Sequence, residues 1–197
     1  MPALKNLFSL RSIGAKLALM TFVGAVCMAM VASTVLWIAR NQLVTERIEK
    51  AHAAVDIVWS LADGYYKAYK AGQMTEEEAK KRFLEANNYV WYEDHGNYAY
   101  IYDYETGLCV SNPGIPQFVG KDMRPNKDAN GMPFAIALMD IARKGQGTLR
   151  YSFRRSGNDA TPLDKVAFTR GFAPWNLMIG SAEYMSEVDN SFWSMVQ

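Results

Sequence analysis

The pattern of hydrophobic and polar positions changes along the chain, and its first section is a long uncharged run. Residues 17–39 are 23 consecutive positions without a charged side chain. At a rise of 1.5 Å per residue, a helix of this length reaches about 34 Å, enough to cross a hydrocarbon core of about 30 Å. The run therefore predicts a transmembrane helix at 17–39.

A heptad pattern follows the uncharged run. Apolar or small residues recur with 4-3-4-3 spacing at Val44, Ile48, Ala51, Val55, Val58, Ala62, Tyr65 and Tyr69. This spacing predicts a long membrane-proximal stalk helix over 40–72, which Gly72 ends. We expect the upper half of the seam to pack on its own domain. In the lower half, near the membrane, no other part of the domain is available to cover the apolar positions. Pairing with a second copy is favoured there, and we predict a homodimer through the stalk helix.

Beyond Gly72 the pattern predicts an α+β domain over 75–189. Thr75 and the three acids after it form a capping box, which predicts a short helix to about Asn87. Period-two alternation and turn residues predict strands at 98–103, 108–111, 148–154, 165–172 and 176–182, with a helix at 134–144. The order indicates a PAS-like five-stranded antiparallel sheet. In such a fold the concave sheet face and the Pro/Gly/Asn-rich excursion at 112–131 enclose a small cavity.

Charge orients these elements relative to the membrane. Lys5, Arg11 and Lys16 precede the uncharged run without any acid, whereas the sequence from Arg40 onward has 18 basic and 20 acidic residues. The positive flank predicts a cytoplasmic N-terminus at 1–16 and an exported domain at 40–189. No charged residue follows Asp189, and this uncharged stretch predicts the start of a second transmembrane helix at 190–197. A cleaved signal peptide is the alternative, but its apolar region usually spans only about 7–15 residues.

Composition excludes several functions. The 197 residues include 21 Lys and Arg against 20 Asp and Glu, so we expect no nucleic-acid partner. With two Cys, two His and no recognised catalytic motif, we expect no metal site, no cofactor and no enzyme activity. The stretch 126–131 resembles the first half of a calcium loop, but Ala137 stands where the bidentate Glu belongs. We favour an Asx-rich turn that caps the helix at 134.

Aromatic residues are the most informative feature of the exported part. Seven of the sixteen residues at 89–104 are Tyr or Trp, and further aromatic residues lie in the later strands. Such a cluster fits a protein core, and it is also the usual lining of a small-molecule pocket. Lys165 begins a strand next to this set, where its ammonium can neutralise a ligand carboxylate. The alternative for Lys165 is a solvated charge at the sheet edge.

The order of several short motifs resembles a known family. They are Tyr92, the run 96–103 (GNYAYIYD), Asn112-Pro113, Gly120-Lys121-Asp122-Met123, 128–131 (DANG), 147–153 (GTLRYSF), 165–168 (KVAF), 175–181 (WNLMIGS), Tyr184 and Val188-Asp189. Together, over about 45–189, they resemble the single Cache sensor domain of bacterial methyl-accepting chemotaxis receptors. The N-terminal anchor and stalk are similar to those receptors as well.

The resemblance implies a ligand site. Such domains bind small periplasmic ligands, often short carboxylates. The resemblance implies lining or contact roles for Tyr92, Tyr98, Tyr100, Met123, Tyr151, Phe153 and Lys165. Three positions depart from the family pattern and complete the predicted site. Trp91 stands where an arginine is common, Asn112 where a histidine is common, and Phe168 where a tyrosine is usual. The departures shift the expectation towards a neutral, amide-bearing or larger aromatic-compatible ligand.

The function implied is the ligand-sensing region of a bacterial transmembrane chemoreceptor. It would lie in the inner membrane with the sensor domain in the periplasm, in contact with the lipid bilayer and a small-molecule ligand. Downstream signalling proteins would act only through a region beyond Gln197. Two alternatives remain: the sensor region of a histidine kinase or diguanylate cyclase, and a membrane-anchored structural or adhesion module without a ligand.

Overall fold

The structure is a computed structural model that describes residues 13–92, 96–154 and 162–185. Two compact units divide the chain after Gln42. The helices are α1 (Ile13–Lys70), α2 (Glu76–Asn87) and α3 (Phe134–Arg143). The strands are β1 (Trp91–Tyr92), β2 (Asn97–Asp103), β3 (Cys109–Ser111), β4 (Gln146–Arg154), β5 (Pro162–Phe172) and β6 (Leu177–Tyr184). The predicted span start at 190–197 and most of 1–16 lie outside the described residues.

The ends of the first two helices follow from local chemistry. α1 stops at Lys70, and Gly72 adopts a φ of 74°, a left-handed conformation that favours glycine. The Thr75 side chain accepts a hydrogen bond from the Glu78 amide at 3.2 Å, which confirms the predicted cap of α2. Three acids occupy the first turn of α2, where they suit the positive end of the helix dipole.

One antiparallel sheet organises the domain. Its strand order is β1-β2-β6-β5-β4, with β3 also paired to β2. The α+β fold and all five predicted strands are confirmed, and β1 adds a sixth strand of two residues. β1 was missed because a two-residue strand is too short to show period-two alternation. Its register pairs Trp91 with Tyr98 and Tyr92 with Asn97.

The two faces of the sheet are covered by different elements. One face packs against α1 and α2, and its buried cluster includes Ala51, Val55, Val58, Ala62, Phe83, Ile101, Phe168 and Ile179. The expectation that the upper seam packs on its own domain is therefore confirmed. The other face packs against α3 and the excursion, and its cluster includes Tyr100, Tyr102, Met123, Leu138, Tyr151 and Ala167. Because strand side chains alternate, the central strands β2, β5 and β6 contribute to both clusters.

Candidate functional site

A cavity of about 250 Å³, which we call the aromatic cavity, lies on the sheet face that packs against α3 and the excursion. Strands β1, β2, β5 and β6 supply its walls, and the start of the excursion supplies two residues. The lining residues are Trp91, Gly96, Asn97, Tyr98, Tyr100, Gly114, Ile115, Lys165, Ala182 and Tyr184. Four of these ten carry aromatic rings, so the lining combines apolar ring surfaces with polar hydroxyl, indole, amide and ammonium groups.

Small residues make the room for these rings. A Cβ atom at Gly114 would overlap the ring of Tyr98, so only glycine lets the excursion approach this wall. A Cβ at Gly180 would lie 2.9 Å from Cε2 of Tyr100, because that ring lies across the backbone of β6. Ala182 lies two residues further along the same face and lines the cavity. The space of the aromatic cavity therefore depends on the small side chains at Gly114, Gly180 and Ala182.

Lys165 lies between the aromatic cavity and a second cavity of about 280 Å³, which we call the polar cavity. In the sheet register Lys165 pairs with Tyr151 on β4 and Tyr184 on β6. Its Nζ lies 4.4 Å from the centroid of the Tyr184 ring, a cation–π distance. The polar cavity is lined by Asp128, Asn130, Met132, Arg150, Tyr151, Ser152, Asp164, Lys165 and Met185. One ammonium thus faces both spaces.

Burial keeps the tyrosine hydroxyls of this face protonated. It raises the pKa of Tyr98 to about 12, with a smaller contribution from neighbouring Tyr184. It also raises the pKa of Tyr100, Tyr102 and Tyr151 well above the ordinary value. The hydroxyl of Tyr100 is buried close to the Tyr151 hydroxyl, but it forms no hydrogen bond of normal geometry among the residues that the structure describes. A buried donor in this state is costly unless an acceptor reaches it.

The structure brings together most of the predicted site residues. Trp91, Tyr98, Tyr100 and Lys165 line the aromatic cavity, and Tyr151 lines the polar cavity. Met123 is buried in the cluster that contains Tyr100, Tyr102 and Tyr151, and Phe153 packs against that cluster. Met123 and Phe153 are not among the lining residues of either cavity, and contact of all these residues with a ligand stays a prediction.

Three predicted residues lie elsewhere. The Tyr92 hydroxyl donates to Glu183 Oε1 at 2.8 Å on the face that packs against α1. Phe168 is buried on that same face, with its ring centroid 4.2 Å from that of His52. Side-chain alternation explains both corrections, since Tyr92 follows Trp91 and Phe168 lies an odd number of positions from Lys165. Asn112 Oδ1 accepts the Ile115 amide at 2.8 Å, so it shapes the excursion rather than the cavity wall.

Sequence reasoning also missed residues that matter for the site. Ala182, Gly114 and Ile115 line the aromatic cavity, but small and aliphatic residues carry no signal for a binding role in a single sequence. Tyr184 was recognised only as part of the family pattern, although its parity with Ala182 places both on one face.

Glu183 is a fully buried carboxylate between the sheet and α1. Oε1 accepts from Tyr92, and Oε2 accepts from Asn97 Nδ2 at 2.8 Å and lies 3.8 Å from Arg47 Nη1. Ser181, on the same face, lies with Oγ 2.7 Å from the Tyr92 hydroxyl and donates to the Tyr98 carbonyl at 2.8 Å. We call Arg47, Tyr92, Asn97, Ser181 and Glu183 the carboxylate cluster. It joins α1, β1, β2 and β6 directly behind the aromatic cavity.

Asp128 ties the excursion to β4. Its Oδ1 accepts the amides of Asn130 and Met132, both at 2.8 Å, and its Oδ2 accepts the Ser152 amide at 3.1 Å. The predicted Asx-rich turn is therefore present. Its predicted role as the cap of α3 is wrong, because Pro133 occupies that N-cap position without a side-chain bond. Among the described residues no cluster of three or more His, Cys, Asp or Glu side chains could hold a metal ion.

Acid should weaken this attachment. Burial raises the pKa of Asp128, but the amides of Ser152, Met132 and Asn130 outweigh it and hold the pKa below its ordinary 3.8. The stabilisation is therefore complete above pH 3.8 and is lost as the pH falls through the folded-state pKa. We expect Asp128→Asn to lower the free energy of unfolding by about 1–2 kcal/mol at pH 7. Chemical denaturation at pH 7 and pH 3 measures both effects; an equal loss at both pH values would contradict the carboxylate's role.

Comparison with known proteins identifies the domain. The family model described as Single Cache domain 2 matches residues 43–197. The chain belongs to this family. The predicted resemblance is confirmed, and the match includes every strand of the sheet and both cavities.

Relatives of this single Cache domain are chemoreceptors. The chain is 24% identical over 182 residues to methyl-accepting chemotaxis protein McpP of Pseudomonas putida, covering 92% of the chain and 33% of the relative. It is 27% identical over 96 residues to methyl-accepting chemotaxis protein CtpM of Pseudomonas aeruginosa, covering 48% of the chain and 17% of that relative. The chain therefore spans at most about a third of the length of these curated relatives.

Solved structures show the same fold. A structure described as the periplasmic sensor domain of a chemotaxis protein aligns with a TM-score of 0.66 at 27% identity, covering 72% of this chain and 96% of that one. A Cache chemosensory domain described as recognising carboxylic acids aligns at 0.65 and 25% identity, covering 73% and 97%. Both structures are described as sensory domains, one of a chemotaxis protein and one of the Cache type.

Proposed function

We propose that this chain is the ligand-sensing region of a transmembrane chemoreceptor that binds a small metabolite in the aromatic cavity. The observation that carries the proposal is a cavity lined by aromatic rings that also contains Lys165 and the buried Tyr100 hydroxyl, which forms no hydrogen bond of normal geometry among the described residues. A ligand carboxylate fits both groups, because it pairs with an ammonium and accepts from a hydroxyl. The description of one related domain as recognising carboxylic acids supports this class of ligand.

We also propose that residues 17–39 of α1 anchor the protein in the inner membrane, with the sensor domain in the periplasm. α1 is long and apolar enough to cross a membrane, and its apolar side chains in this segment are exposed. Its hydroxyls bond to backbone carbonyls one turn earlier: Thr21 to Ala18 at 2.9 Å, Ser33 to Ala29 and Thr34 to Met30, both at 2.8 Å. A helix that satisfies its own polar groups suits a hydrocarbon environment.

A homodimer through the stalk is part of the proposal. Within the seam, Ala51, Val55 and Val58 are buried against the sheet, whereas Val44 and Ile48 are only half-buried. These two residues retain apolar surface on the face that the heptad pattern assigns to a partner helix. A second copy of the same helix would cover that surface.

Signal transmission follows from the carboxylate cluster. Asn97 belongs to the cluster and also lines the aromatic cavity, so a ligand there lies against a residue bonded to Glu183. Glu183 in turn lies near Arg47 of α1, the helix that leads to the membrane anchor. A ligand that shifts this contact by about 1–3 kcal/mol would suffice to bias a downstream two-state element.

The test is a binding screen with a charge-removal variant. We expect one or more small carboxylates, among a panel of small metabolites, to raise the thermal unfolding temperature of the chain. Lys165→Ala should weaken an acidic ligand by more than about tenfold, because one charge-assisted contact is lost. Lys121→Ala, which removes an exposed lysine outside both cavities, is the matched control and should change nothing.

Two results would count against this proposal. Unchanged affinity in Lys165→Ala would remove Lys165 from the site. A panel in which no metabolite stabilises the chain would favour the structural module instead.

A further inference from the structure

We propose that the aromatic cavity contains a ring-binding subsite built on Trp91, and that the ligand is a planar aromatic monocarboxylate. The proposal deepens the proposed function and rests on it, because it names the class of ligand for the same cavity. It follows from the rings in the lining, the one charged side chain among the described lining residues and the size of the space.

The four rings that line the cavity come from three strands, β1, β2 and β6. Trp91 and Tyr98 are register partners on neighbouring strands, with ring centroids 5.4 Å apart and planes tilted by 58°. Tyr184 and Ala182 belong to β6, and Ala182 adds only a methyl group to the lining. Trp91 is held in place by its indole N–H, which donates to the Asn88 carbonyl at 2.9 Å. A fixed indole beside open space offers a face or an edge to a planar ligand.

The charge selects an anion. Lys165 is the one charged side chain among the described residues that line the aromatic cavity. Its ammonium already lies over the Tyr184 ring, the position at which a cationic ligand would form a cation–π contact. A cationic ligand there would be repelled by the Lys165 charge. A second ligand carboxylate would meet no second cation among these lining residues. A single negative charge on the ligand is therefore the best match.

The size of the space favours a ring over a short chain. The cavity measures about 250 Å³. Since one water occupies roughly 30 Å³ of the liquid, this equals the space of about eight waters and exceeds a two- or three-carbon acid. An aromatic acid fills more of it and contacts the lining rings, and such ring pairs contribute about 0.5–1.5 kcal/mol beyond area burial. Its carboxylate can meanwhile reach the Lys165 ammonium or the Tyr100 hydroxyl.

Calorimetric titration of the whole chain in lipid nanodiscs tests the inference with four probes: benzoate, cyclohexanecarboxylate, acetate and benzamide. Benzoate should bind about tenfold more tightly than the other three, because only it combines a planar ring with a charge. Trp91→Ala should weaken benzoate about tenfold and change acetate less than about twofold, while Trp91→Phe keeps most of the benzoate affinity. Tyr89→Ala, which removes an exposed aromatic ring nearby, is the matched control.

The outcomes separate the two proposals. If acetate binds as tightly as benzoate, the ring subsite is wrong and the sensor function stands. If benzoate is preferred but Trp91→Ala retains its affinity in a chain with unchanged melting temperature, Trp91 is not the ring-binding residue. If a non-aromatic metabolite from the wider panel binds and none of the four probes does, the aromatic class is wrong. If nothing binds, both proposals fail.

Discussion

Gly171→Ala is expected to lower the free energy of unfolding by about 3 kcal/mol, at the upper end of the cost of overpacking. Gly171 lies in β5 where the end of α3 crosses the strand, and a Cβ atom there would overlap the Ala142 carbonyl oxygen. Backbone cannot rotate away as a side chain can. The Gly171 amide also donates to Gly145 at 2.8 Å, and its carbonyl accepts from Trp59 at 3.0 Å. Moving the strand therefore strains contacts with both α3 and α1.

Gly64→Ala is the matched control, because the same methyl group is added where nothing lies within 4 Å. Gly64 lies in the interior of α1, so alanine there should stabilise by about 0.5–1 kcal/mol. Thermal unfolding followed by circular dichroism should show a fall of about 6–12 °C for Gly171→Ala, and a small rise for Gly64→Ala. Equal melting temperatures for the two variants would mean that α3 and β5 do not approach as closely as described.

Glu183→Gln is expected to cost about 2 kcal/mol, because it replaces charge-assisted hydrogen bonds by neutral ones in a fully buried place. The carboxylate accepts from Tyr92 and Asn97 and lies near Arg47, so the amide also turns two N–H donors towards existing donors. Glu85→Gln makes the same chemical change in an exposed ion pair with Lys81 and should change stability by less than about 0.5 kcal/mol.

A double-mutant cycle separates the cluster from a general loss of packing. Tyr92→Phe removes only the hydroxyl that donates to Glu183. The two changes should couple by about 0.5–3 kcal/mol, as side chains in one hydrogen-bond network do. Additive losses in urea denaturation would show that the contacts act independently, and would weaken the proposed route from the cavity to α1.

The strand and helix pattern was predictable from the sequence because it depends on local spacing. The start of α2 follows from Thr75 and the three glutamates after it, and α3 ends within one residue of the expected position 144. The aromatic alternation of β2 placed Tyr98 and Tyr100 on one face, and the structure has both at the cavity. The parity of Phe168 relative to Lys165 was visible within the predicted strand, whereas that of Tyr92 was not, because β1 was not predicted. The family pattern placed both residues in the lining, and the structure places both on the opposite face.

The sequence by itself determined the apolar helix, the α+β domain and the aromatic character of the site. Helices and strands are recognisable in this way because their hydrophobic periodicity depends on the spacing of neighbouring residues. Only the tertiary structure decided that Ala182 and Gly114 open the cavity, that Lys165 lies over Tyr184, and that Glu183 is buried against α1. These facts depend on which strands pair and in what register. Such contacts join positions tens of residues apart, so no local pattern contains them.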